Sequence, residues 1–272
     1  ESKVLNKSIV RGSEVSNGSE VSVNSKVLDK SIVRGSKVLN GSEVSGVSRV
    51  ALLSEVSRGS KVLNGSMVVN RSEVLDWSIV EGSTVSKSIV SERSTVLDRS
   101  EVHESEVSDG SIVSYKSEVS RGSKVLYRSA VHGAKVLDGA KVLDGSKVLD
   151  GSIVSDGSKV LNKSIVQWSK VLNGSIVSDG SRVYRSEISN RSIVSDTYLF
   201  GSKVDRLKIL KGKISELKRT KEAETSIKPI VGHETAKLLA RDDSCIQRKS
   251  FKGQNITTIN SRYNTSTLQY NY

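Results

Sequence analysis

Val recurs along this chain with a spacing that fits neither an amphipathic helix nor an ordinary strand. The marker positions run Val4, Val10, Val15, Val21, Val27 and Val33 and continue to Val194, thirty-four in all, with Ile188 the one non-Val. Of the thirty-three steps between them, 25 are six residues and 8 are five. A short period sustained over this length predicts stacked supersecondary units rather than a globule. The unit Lys-Val-Leu-Asp-Gly-Ser, residues 141–146, shows why. Val142 is β-branched and suits a strand. Two positions before each marker stands Ser, replaced by Ala at Ala134 and Ala140, so the site selects for a small residue. Positions two apart on a strand face the same way, so Val and the small residue both point inward. After the marker come Asp or Asn and often Gly, as in Asp138-Gly139 and Asn64-Gly65. These are turn pairs in which Gly supplies positive φ.

Each unit is thus one short strand and one corner, and three units close a coil of about eighteen residues. The fold expected is all-β: a parallel β-solenoid over residues 1–197, with a dry Val core and inward serines bonding one another or backbone carbonyls. Thirty-four units give about eleven coils. Past Ser195 the pattern fades. Leu207, Leu210, Ile214 and Leu217 keep one helical face, which predicts an amphipathic helix over 198–224, centred on 203–224, capping the last coil. Residues 225–272 hold the single Pro, scattered charge and a polar end, and are expected to be a weakly ordered basic tail.

The order aliphatic residue, turn pair, small residue, seen in Val142, Asp144, Gly145 and Ser146, resembles the hexapeptide-repeat family, over more than 70% of the chain. The resemblance implies a left-handed, triangular parallel β-helix. The five-residue steps depart from it. Four follow Ser-Ile-Val units, where Ile9, Ile32, Ile79 or Ile165 turned inward would absorb the slip. The right-handed pentapeptide-repeat helix is the alternative coil.

Composition sharpens this reading. Aromatics are 4%, too few for a compact core of 272 residues, yet 35% of residues are apolar and regularly placed, which separates the chain from low-complexity disorder. Net charge is +12, of which +8 lies in residues 198–272, so an anionic partner for the basic tail is one expectation. Cys245 stands alone, so no internal disulfide forms. No apolar run is long enough to cross a membrane and no signal peptide is visible, so the compartment is left open. The start at Glu1, in repeat phase, reads as a processed form or a fragment.

The residue before each marker points outward. Lys3, Glu20, Lys37, Glu55 and Lys26, Glu43, Lys61 should form alternating charge ladders, and Ile153, Ile165, Ile176 and Ile193 an apolar stripe. Mixed charge counts against an ice-binding face. The family resemblance also implies, as one possibility, an acyltransferase with a catalytic His. His103, His132 and His233 are the candidates, but no long loop builds a pocket beside them. His103 and His132 are 29 residues apart, not a whole coil, which argues against a metal centre. No catalytic, cofactor or metal residue is assigned. The expected role is a non-catalytic structural or interaction solenoid: a rigid rod that displays side-chain ladders or self-associates through its ends, as a head-to-head dimer through Val4, Val10 and Val15. A recently expanded repeat without selected function is the remaining alternative.

Overall fold

A computed structural model describes residues 1–219, 224–228, 237–240, 245–251 and 254–260, with side chains to Ile214. It is an all-β parallel solenoid of about twelve turns, one more than the repeat count suggests. The chain divides into two compact units, Glu1–Asp144 and Gly145–Tyr272.

In the first unit, strands of two or three residues recur on three faces. Each pairs in parallel with the strand three units on. Val4 lies beside Val21, Val21 beside Val38, and the column continues to Val125 and Val142. A second face places Val10 beside Val27, and a third Val15 beside Val33. From Val21 onward every marker Val of this unit is fully buried. Each such Val contributes about 1.5–3 kcal/mol relative to exposure.

The corners account for the mixed step length. Between Val4 and Val194, each six-residue step holds two consecutive residues at positive φ, and each five-residue step holds one. Asn64 and Gly65 make a two-residue corner at φ 53° and 76°; Gly82 makes a one-residue corner at φ 56°. The expected slip mechanism is therefore corrected. Ile9 is 49% exposed, and Ile32, Ile79 and Ile165 are only half-buried, while Val33, Val80 and Val166 beside the last three stay fully buried. The lost residue comes from the bend, not the strand.

Left-handed corners strain ordinary side chains, at about 1–2 kcal/mol each. Asn and Asp tolerate them best, which explains their place in the repeat. The stacked backbone offsets part of the cost. In one column, the Asn24 N–H donates to the Asn6 carbonyl at 2.9 Å, Gly41 to Val23 at 2.7 Å and Gly59 to Asn40 at 2.9 Å. Even Val23 and Val47 are held there, at φ 55° and 63°.

The inward serines do more than stay small. On one face, the Ser48 N–H donates to the Ser31 hydroxyl at 3.1 Å, Ser66 to Ser48 at 3.2 Å, Ser83 to Ser66 at 3.3 Å and Ser100 to Ser83 at 3.1 Å. The hydroxyls of Ser48, Ser66 and Ser83 in turn donate to a carbonyl of their own corner, as Ser48 does to Ser45 at 2.7 Å and Ser83 to Glu81 at 2.9 Å. The ladder is hydroxyl to backbone amide, not hydroxyl to hydroxyl. It is not perfect: the buried hydroxyl of Ser42 has no partner.

The second unit repeats the design. Lys147–Leu149, Ile165–Gln167 and Arg182–Tyr184 stack on one face, with Tyr198–Phe200 and then Lys213–Ser215 beyond them. Among the described residues the expected capping helix is absent. Residues 203–205 and 207–219 are strands. Here the repeat runs on in five-residue steps, through Leu199, Val204, Ile209 and Ile214, all fully buried. Single positive-φ residues at Asp196, Gly201 and Arg206 turn the first three of these corners. Leu207 takes the place of the small residue, and its N–H donates to the Ser192 hydroxyl at 3.2 Å. A spacing of three and four that read as one helical face is a five-residue solenoid step with Leu at the serine position. The solenoid therefore extends past residue 197. In the expected tail, residues 229–236, 241–244, 252–253 and 261–272 lie outside the described residues. Antiparallel strands occur at Cys245–Phe251 and Gln254–Asn260.

Candidate functional surfaces

The outward ladders follow the register expected. Lys3 lies beside Glu20, Glu20 beside Lys37 and Lys37 beside Glu55. Lys26, Glu43 and Lys61 align likewise. Alternation then fails, with Glu55 beside Glu73 and Lys124 beside Lys141. Ion pairs form at Lys124–Glu106, 2.6 Å, and Lys135–Glu118, 2.9 Å. Both are partly exposed, a setting in which such pairs contribute roughly 0–1 kcal/mol. The apolar stripe is corrected: Ile153, Ile165 and Ile176 stand on three different faces, and only Ile176 and Ile193 are neighbours.

The fold places His103 and His132 on different faces. His103 lies on the face that aligns it with Ser86 and Ser120, exposed, with Nε2 3.7 Å from Glu104. His132 lies on another face beside Ser114, whose hydroxyl is 3.0 Å from Nδ1, and its ring stacks on Tyr115 at 4.9 Å. His233 lies outside the described residues. Among the described residues no three metal-ligating side chains converge, and no helix is long and apolar enough to cross a membrane.

Two shallow grooves lie along the corners. Leu52, Leu53, Asn70, Arg71 and Lys87 line one. Leu52 and Leu53 are 58% and 70% exposed. The other is lined by Glu92, Arg93, Asp109, Tyr127 and Arg128. There the hydrogen bond between the Glu92 and Asp109 side chains, reinforced by their like charge, raises the Glu92 pKa. A raised carboxyl stabilises the fold while protonated and loses that contribution as pH rises through its folded value. Glu92→Gln should therefore melt at a higher temperature than the parent at neutral pH. The gap should close below the ordinary carboxylate range, as thermal scans at the two pH values will show.

No protein-family model, curated protein or solved structure matches this chain.

One concentration of side chains was missed in the sequence. In the second unit Trp168, Tyr184, Tyr198 and Phe200 gather on one face and its following corner. Tyr184 and Tyr198 have ring centroids 5.7 Å apart. Arg185 lies over the Trp168 ring at 5.7 Å and Lys213 over Tyr198 at 5.6 Å. Tyr184 and Phe200 are sixteen residues apart and pair in register, whereas Tyr198 pairs with Arg182 and Lys213.

Proposed function

We propose that this chain is a non-catalytic structural or interaction solenoid that displays side-chain ladders and self-associates through its first turn, and that its coil is of the left-handed hexapeptide type. The observation that carries the reading is the corner rule: between Val4 and Val194 every connection is a bend with one or two left-handed residues. Active-site pockets on such a frame need projecting loops, and these connections are too short to build them. Self-association is proposed for the 272-residue chain itself, whatever precedes it in a longer protein, and it rests on the first turn. Val4 is 46% exposed and Val10 half-buried, whereas Val21 and Val27, their partners one turn on, are fully buried. Exposed apolar strand edges recruit other strands unless blocked. An isologous dimer follows most simply.

Sedimentation velocity across a concentration series tests this. The expected result is a dimer that a Val4→Lys, Ile9→Lys double variant converts to monomer with its melting curve unchanged. A monomer throughout, or a dimer indifferent to that change, overturns self-association. Thiol release from acyl-coenzyme A that is abolished by His132→Ala or His103→Ala overturns the non-catalytic reading.

A further inference from the structure

We infer that the aromatic and basic face of the second unit binds single-stranded nucleic acid. The sequence is 4% aromatic, so four rings within a few rungs of one face are a strong local enrichment. They are also accessible: Trp168 is 54% exposed and Phe200 36%, with Tyr184 and Tyr198 half-buried. Cations stand between them in register. Arg182 lies beside Tyr198 and Tyr198 beside Lys213, while Gln167, Tyr184 and Phe200 form the parallel column. Lys147 and Arg185 extend the positive rim. The carboxylate of Asp150 on this face accepts a 2.6 Å bond from the Gln167 amide. The preceding corner adds Lys163 and Lys211 against Asp179 and Asp196.

This interleaving suits one chemistry. A flat π-surface stacks on an unpaired base, whatever its identity, and Arg or Lys beside it pairs with the phosphate that follows. The Arg185–Trp168 stack extends the platform, because a guanidinium plane also accepts a base. A duplex hides its base faces and offers only phosphates. A neutral sugar polymer would gain nothing from the four cations. The rungs are held by backbone pairing and buried Val166, Val183 and Leu199, so the platform is preformed and little order is lost on binding. The inference is independent of self-association, which involves the first turn of the other unit.

The test uses the full chain and a labelled oligothymidylate, read by fluorescence anisotropy over a salt series. Four phosphate contacts to Lys147, Arg182, Arg185 and Lys213 predict a log–log salt slope of about −3 for a single strand. Arg182→Gln with Arg185→Gln should flatten that slope by roughly 1.4, half its value. Trp168→Ala, at an exposed position, should weaken binding about tenfold with the melting curve unchanged. Arg58→Gln in the first unit should change nothing. Absence of binding at low salt overturns the inference. So does binding that ignores all three second-unit substitutions, which would place it on the basic residues beyond 219. Duplex bound as tightly as single strand, with Trp168→Ala neutral, reduces the face to charge and overturns it too. Capture of phosphatidylserine vesicles in preference to the oligonucleotide, lost in the same variants, assigns the face to lipid instead.

Discussion

Val96→Asp is expected to destabilise the protein by several kcal/mol, while Thr95→Asp one residue earlier costs about 0.5 kcal/mol or less. Val96 is fully buried, between Val80 on one turn and Val113 on the next. Thr95 is half-buried on the outer surface, between Ile79 and Ile112. A carboxylate at 96 would enter the Val-lined interior and would have to be buried charged and unpaired, or protonated at a cost. No second layer of core exists to absorb it, since each turn is one Val deep on each side. Because each turn touches only its neighbours, the damage should open the adjacent turns together. Urea denaturation followed by circular dichroism measures both variants. Equal midpoints would show that the assigned inward phase is wrong.

The same periodicity explains how much of the fold was legible. Val at the marker, Asn or Asp after it and Gly at the bend each serve one conformational demand, so strand, corner and register could be read directly. The ladder Lys3, Glu20, Lys37 follows from counting three markers, and the structure keeps that count. Two features were misread for physical reasons. At Ile9 and Ile79 an aliphatic pair offered two inward candidates, and hydrophobicity alone does not say which one turns in. The corner decides it, because dropping one left-handed residue shortens the step without moving Val80 from the core. Beyond Ser195 the steps become five, and Val is replaced by Leu199, Ile209 and Ile214. With Leu207 at the serine position, the apolar spacing mimics a helix. The aromatic face was hidden for another reason. Trp168, Tyr184 and Phe200 break the repeat as isolated residues, and only the three-dimensional stacking makes them one surface.

The role of the inward serine is open to an equally sharp test. If the site selected only for small size, Ser66→Ala would be silent, as the natural Ala134 and Ala140 suggest. The structure gives Ser66 more to do. Its hydroxyl accepts the Ser83 N–H at 3.3 Å and donates to the carbonyls of Leu63, at 2.5 Å, and Val80, at 3.1 Å. Removing it leaves the Ser83 N–H and part of two buried carbonyls without that partner, at a cost of roughly 1–3 kcal/mol. Ser66→Val removes the same bonds and adds branched bulk at a fully buried corner position. Overpacking of that kind adds about 1–3 kcal/mol more. The expected order of urea midpoints is parent, then Ala, then Val, with the slope of the transition unchanged for Ala. Ser66→Ala with the parent's midpoint would reduce the ladder to a consequence of packing. Ser66→Val more stable than Ser66→Ala would show that the corner has room, and that the recurring serine does not mark a limit on size.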